Sequence, residues 1–308
     1  MTVTIGIKNS AGVLIEESPV LSFNFKKDIY TPYSSLSALI CPSGSSYNNA
    51  AEIILSIDGT AIHHGLVDSL KLEQKNGCSI MSISSRGFTS LLCQNQIEPG
   101  LQMNISFNML MDDFYTLPYV IHEDDPDTSG YLYIRPNTSM WDATASFSYK
   151  RMGTYPYIRG TNTVMMSPYS LPNSFDLSSE KLISEGTEIL NSRLASDYHM
   201  ADIQGEYGSF DLSDSDVSDL KIIRHKCFDL DMRFLYEPQE ALVFRDKYDF
   251  RGRTRYFSSY SGYSGEDLYD LVSFDGTNYE PIGSVSVRGS HKGVFTEIGV
   301  YSDKFPHS

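Results

Sequence analysis

Closely spaced cysteines are missing from this sequence. Cys41, Cys78, Cys93 and Cys227 lie far apart, with no CxxC and no Cys/His spacing of the kind that builds a structural zinc site. Each sits in an apolar or strand-like context, so buried free thiols are expected. No apolar run approaches the roughly 18 residues that cross a bilayer. The opening residues, Met1-Thr2-Val3-Thr4-Ile5, carry neither the basic nor the hydrophobic stretch of a signal peptide, so a product made in the cytoplasm and without a membrane partner is expected. Basic residues are scarce as well. The 24 Lys and Arg stand against 39 Asp and Glu, for a net charge of −15. A surface of that sign repels a phosphate backbone and argues against general nucleic-acid binding. It suits solubility, and also the lining of a channel that DNA crosses without sticking.

The signatures of catalysis are absent too. There is no GxSxG, no SxxK, no HExxH and no glycine-rich phosphate loop; Ser259 to Gly265 matches neither GxGxxG nor a Walker sequence. His63 and His64 are adjacent, but neighbours on a strand point to opposite faces and cannot share one ion. The other histidines, His122, His199, His225, His291 and His307, stand alone in the sequence. The acidic run from Asp211 to Asp219 lacks the central glycine and distal glutamate of a calcium loop, and reads as a solvated turn that caps a helix. No catalytic residue, cofactor or metal is therefore expected.

What the sequence does contain is strand periodicity and turn chemistry. Val3, Ile5 and Ile7 alternate, Val13 and Ile15 follow a turn, and residues 20–25 alternate again. Residues 51–57, the turn Asp58-Gly59 and residues 62–67 give the clearest hairpin, because Asp-Gly supplies the positive φ angles of a tight turn. Another strand is expected at 79–84. This part suits a small antiparallel barrel or sandwich. A short helix is then expected at 88–93, and a longer one from Ser106, its N-cap, to Leu117, closed by Pro118. A strand at 131–134, a helix from Met140 to Lys150 capped by Thr138 or Ser139, and a hairpin of 155–159 with 163–166 complete an α+β unit. Strand texture returns at 181–190, 220–223, 241–244, 283–287 and 293–301, while 211–220 and 266–271 read as short helices or turns. The chain, of 308 residues, is thus expected to be mostly β with an α+β insertion, divided at 1–87, 88–170 and 171–308.

One stretch is basic against the acidic background. Arg224, His225, Lys226, Arg233, Arg245, Lys247, Arg251, Arg253 and Arg255 are interleaved with Phe228, Tyr236, Phe244, Tyr248, Phe250, Tyr256 and Phe257. Arginine with aromatics stacks on single-stranded nucleic acid, and the same mixture marks protein–protein interfaces. The acidic chain, with Asp229, Asp231, Asp246 and Asp249 inside the stretch, favours a subunit interface. Arg224, Arg233, Tyr236, Arg245, Tyr248, Arg251, Arg253, Arg255 and Tyr256 are its candidate residues. Tyrosine occurs 21 times and tryptophan once, in keeping with wide amphipathic contact surfaces.

The segment Ile53 to Ser69, with Asp58-Gly59 and Gly65-Leu66-Val67-Asp68, resembles the strand, Asp-Gly turn, strand and Gly-x-Val-Asp unit of the baseplate hub proteins of phage-type tails. That group comprises the late-control protein D family and related Firmicutes prophage proteins. Ser84-Ser85-Arg86-Gly87, followed by Phe88 to Leu92, is similar to that family's Ser-x-Arg-Gly step into a short helix. Ser139 to Ala143 sits where such proteins carry a helix of the inserted domain, and 282–287 with 300–304 look like the closing strands of a second barrel. The resemblance implies two small antiparallel tube-type barrels flanking a compact α+β domain. It also implies a homotrimer whose pseudo-sixfold ring joins a hexameric tail tube to a trimeric central spike, beside other baseplate proteins. Such a subunit belongs to a virion or a tailocin-like particle assembled in the host cytoplasm, with DNA only as passing cargo. Two other readings stay open. One is a tail-associated cell-wall hydrolase using Asp112, Asp113, Glu123 or Asp142; the other is a distal-tail or carbohydrate-binding adaptor, which the single tryptophan weakens.

Overall fold

A computed structural model of the chain describes residues 1–44, 46–75, 77–230 and 237–302. Its first six strands are β1 (Val3–Asn9), β2 (Leu14–Asp28), β3 (Ser35–Ile40), β4 (Ala50–Ile57), β5 (Thr60–Lys75) and β6 (Cys78–Gly87). They pair in the order β1-β4-β5-β6-β3-β2, and β2 pairs back to β1, so the sheet closes into a six-stranded antiparallel barrel. Period-two alternation drives the closure: Leu36, Ala38 and Ile40 of β3 point inward beside Ile5, Ile7, Ile53, Leu55, Met81 and Ile83. The Asp58-Gly59 turn has φ of 47° and 82°, as a type I′ hairpin demands.

The α+β unit follows: α1 (Leu91–Gln94), β7 (Gly100–Ser106), α2 (Phe107–Asp113), β8 (Ile121–His122), β9 (Thr128–Ile134), α3 (Met140–Met152), β10 (Tyr157–Arg159) and β11 (Thr163–Met165). Ser106 caps α2 by accepting from the Met109 amide. The helix stops at Asp113, short of the expected Leu117, where two carboxylates meet the negative end of its dipole. Ser139 caps α3, and Gly153 in the left-handed region ends it. Trp141, Ala145 and Phe147 of α3 pack with Phe107, Leu110, Leu132 and Ile134 into a second core.

The remainder comprises β12 (Ser174–Asp176), β13 (Leu182–Ile189), β14 (Asp197–Met200), β15 (Phe210–Ser213), α4 (Ser215–Asp219), β16 (His225–Phe228), α5 (Pro238–Phe250), β17 (Thr254–Ser261), β18 (Leu271–Ser273), β19 (Glu280–Pro281), β20 (Ser284–Ser290) and β21 (Gly293–Tyr301). Strand β2 connects the two ends of the chain. Its first half pairs with β1 from Leu14 to Pro19, and its second half pairs with β20 from Phe23 to Asp28. The barrel wall therefore continues as β2-β20-β21-β17-β13, one sheet of ten strands in all. Val285, Val287, Ile298 and Val300 extend the barrel's core beneath it. Two three-stranded sheets, β12-β18-β19 and β15-β14-β16, flank this arrangement. The chain is mostly β with a tube-type barrel and an α+β insertion, as expected. No helix among the described residues is long and apolar enough to cross a membrane.

Three expectations are corrected. Residues 241–244, expected as a strand, lie in α5, which starts at Pro238 and buries Ala241, Leu242 and Phe244; a four-residue apolar run does not distinguish the two conformations. Residues 220–223 form no strand but a turn after α4, with Lys221 at φ 63° and Leu220 and Ile223 exposed. The four cysteines are free but exposed, because they occupy strand ends, a helix surface and an outward strand position. The acidic run splits: Asp211 to Ser213 form part of strand β15 instead of a turn, while Asp214 caps α4 as expected by accepting from the Asp216 and Val217 amides. Residues 266–271 make a turn leading into β18.

Candidate assembly surface

The basic stretch divides between α5, β16 and β17, and the structure does not gather it into one patch. Arg251 is buried, with its guanidinium 3.2 Å from the centre of the Tyr248 ring and within 5.8 Å of Tyr30 and Tyr155. Arg255 donates to Ser284 Oγ (2.9 Å) and pairs with Glu297 (2.7 Å) and Glu188 (3.5 Å), stitching β17 to β20, β21 and β13. Arg224 donates to the carbonyls of Asn191, Ser192 and Leu194, and Arg253 to Asn191 Oδ1 at 3.0 Å. Arg245 lies over the Phe228 ring at 3.9 Å. Tyr256 donates to Glu185 at 3.1 Å; burial and that carboxylate both raise its pKa. Arg233 and Tyr236 lie outside the described residues.

Two surfaces of the ten-stranded sheet are open instead. Its polar face carries a groove of about 540 Å³ lined by Lys26, Asp28, Glu188, Arg255, Arg288 and Glu297. The closed ring on one side leaves β13 as the free edge of this sheet among the described residues. Ile183 and Ile189 of that edge are 53% and 58% exposed. A free strand edge offers a row of unpaired backbone groups to another chain.

Buried polar clusters hold the parts in register. Lys27 reaches through the barrel end to Asp267 and the Gly160 carbonyl, and Arg159 pairs with Asp270 at 2.8 Å. Burial lowers the Lys27 pKa, and Asp267 opposes the shift. On the barrel's outer wall Glu52 accepts from His64 (2.9 Å) and Tyr119 (2.8 Å), tying the insertion to β4 and β5. His63, on the opposite face as expected, is enclosed between the Ser34 and Ser85 hydroxyls at 2.8 Å each. Burial, then repulsion from His64, pushes its pKa down to about 3. Arg86 and Asp68, one from each segment of the sequence resemblance, form a two-pronged pair at 2.8 Å across β5 and β6. Gly65 is required beside it, since a β-carbon there would collide with the Arg86 carbonyl.

The carboxylates of the hydrolase reading serve separate local structures. Asp112 pairs with His122 at 3.1 Å, Glu123 accepts from the Met166 and Ser167 amides, and the Asp142 carboxylate, in the first turn of α3, accepts from the hydroxyl of the capping Ser139. Asp113 is exposed at the end of α2. One cluster had no sequence signal: His199 and His225, 26 residues apart, meet because β14 and β16 pair in parallel.

No protein-family model and no curated protein sequence matches the chain. Solved structures do resemble it. A tail protein from Neisseria meningitidis MC58 is 14% identical, with a TM-score of 0.68 over 98% of this chain and 97% of that one. The 43 kDa tail protein of prophage MuSo2 from Shewanella oneidensis is 11% identical, with a TM-score of 0.67 over 99% of each chain. The E. coli protein c3393 is 9% identical, with a TM-score of 0.57 over 98% of this chain and 77% of that one. It is described as a component of the type VI secretion system with structural similarity to T4 bacteriophage tail proteins gp27 and gp5. The likeness is one of fold: this chain is built like phage tail proteins from end to end.

Proposed function

We propose that the chain is a structural hub subunit of a phage tail or phage-tail-like particle, tailocins included. Three copies form a ring that joins a hexameric tube to a trimeric spike and continues the channel between them. The observation that carries this reading is the ten-stranded sheet, which leaves a closed barrel through β2 and ends at the free edge of β13. Each chain then offers two sheet units to the ring, the barrel and its open continuation, so that a threefold set presents six. A neighbouring copy closes the β13 edge, which a lone chain leaves unpaired. Of the candidate residues, Tyr256 lies on β17 beside this edge, where it bonds Glu185 of β13, and contributes to the contact. The acidic excess keeps DNA moving past the wall as cargo.

Mass measurement of the purified chain, alone and mixed with its tube and spike neighbours, tests the proposal. A trimer, or capture into a complex by either neighbour, is the expected result. A stable monomer that ignores both overturns it, and turnover of purified cell walls by the chain supports the hydrolase reading in its place.

A further inference from the structure

Strands β14 and β16 carry four potential metal donors on one outward face. In their parallel register Asp197 lies opposite His225, and His199 opposite Cys227. Tyr198 and Met200 alternate to the buried side, so Asp197 and His199 share the outer side. On β16 His225 and Cys227 are likewise the exposed positions. Registered neighbours on adjacent strands sit about 4.8 Å apart, and alternate residues on one strand about 6.7 Å. Four donors at such corners can reach a single ion above the sheet.

The two histidines are already placed. His199 Nε2 faces His225 Nδ1 at 3.3 Å, with the rings within 10° of parallel. That separation is longer than the usual N–H···N hydrogen bond. It equals the edge of a tetrahedron, about 3.3–3.4 Å, in which a metal sits 2.0–2.1 Å from each nitrogen. Asp211 Oδ1 accepts from His199 Nδ1 at 2.6 Å. The hydrogen is therefore on Nδ1, and the Nε2 lone pair is turned toward His225, as outer carboxylates orient histidine ligands. Asp197 Oδ2 is 3.7 Å from His225 Nδ1, and the Ser196 and Ser213 hydroxyls hold its carboxylate in place. Cys227 is free and exposed. Among the described residues no group of three or more His, Cys, Asp or Glu side chains stands arranged to hold a metal ion, so this site requires side-chain movement. Rotation of Cys227 about its side-chain bonds supplies a third ligand, and Asp197 becomes the fourth by exchanging the Ser196 hydroxyl on Oδ2 for the ion.

We propose that His199, His225, Asp197 and Cys227 form a tetrahedral site for a borderline transition-metal cation such as Zn²⁺, with Asp211 positioning His199. The ion braces β14 to β16 in the small sheet under α5. The proposal is independent of the hub reading.

The test uses the full chain, reduced and stripped of metal with a chelator. Zn²⁺ is titrated calorimetrically and thermal unfolding is followed with and without it. Co²⁺ is used as a spectroscopic probe. We expect one Zn²⁺ per chain, a rise in Tm, and an intense tetrahedral Co²⁺ spectrum with a thiolate band that Cys227→Ser removes. His199→Ala and His225→Ala should abolish binding, and Asp211→Asn should weaken it by roughly ten- to a hundredfold, as outer-shell losses do. Absence of binding to the wild type overturns the proposal. So does a weak octahedral Co²⁺ spectrum, or binding that survives both histidine substitutions. Because the wild-type spectrum decides by itself, the proposal stays testable even if a variant fails to fold.

Discussion

Glu16 is nearly fully buried in the barrel wall, yet five donors converge on it: the hydroxyls of Ser18, Ser43 and Tyr47 and the amides of Ser43 and Gly44. Burial alone would raise its pKa; these hydrogen bonds outweigh that and hold it at about 2. His63 follows the opposite logic, since burial keeps it neutral with a pKa of about 3. Both residues are depressed, so the unfolded chain takes up protons first in each case, and stability falls as pH falls. The windows differ. The His63 contribution erodes between about pH 6.5 and 3, and the Glu16 contribution between about pH 4.5 and 2. Urea unfolding across this range should show two successive losses, and His63→Gln should flatten the one nearer neutrality. Glu16→Gln leaves amide and hydroxyl donors facing a weaker acceptor, and should cost about 1.5–3 kcal/mol at neutral pH. A stability curve without a loss between pH 6.5 and 4.5 would contradict the assignment to His63.

At the scale of elements, two close approaches determine how the open sheet packs. The Phe23 ring lies against Gly289 of β20, and the Arg255 side chain crosses Gly299 of β21, so a β-carbon at either glycine has no room. Gly289→Ala should therefore destabilise the chain by about 1–3 kcal/mol through overpacking, measurable by chemical denaturation. Arg255→Leu removes the partner of the exposed Glu188 and the part-exposed Glu297 and the donor to Ser284, and should cost about 1–2 kcal/mol. Elements whose periodicity is local were legible in the sequence. The Asp58-Gly59 hairpin, the Ser106 and Ser139 caps and the strands at 182–189 and 293–301 all follow from spacing and turn residues. Residues 241–244 were misleading because their apolar run carries no period, and α5 acquires its identity from Pro238 and from packing on β14 and β15.

For the whole molecule, what mattered most lay between distant segments. The basic stretch looks continuous along the chain, yet helix and strand geometry turn Arg251 and Arg255 inward and leave Arg224 and Arg253 tethering the 191–194 loop. The His199–His225 meeting and the sharing of β2 between barrel and open sheet depend on long-range pairing, which residue order does not announce. This bears on how assembly is probed. Charge reversal at Arg251 or Arg255 would lower the stability of the single chain, so a failure to assemble would not report on an interface. The free edge of β13 is the cleaner target, because Ile183 and Ile189 are more than half exposed and support little of the core. Lysine at an edge blocks pairing with another strand at small cost to the fold. Ile183→Lys with Ile189→Lys should therefore leave the Tm of the isolated chain within a few degrees of the wild type, since surface changes cost about 0.5 kcal/mol or less. The same pair should abolish the trimer in mass measurements and the incorporation of the chain into particles. A doubly substituted chain that still forms trimers would place the contact elsewhere and remove the edge of β13 from the proposed ring.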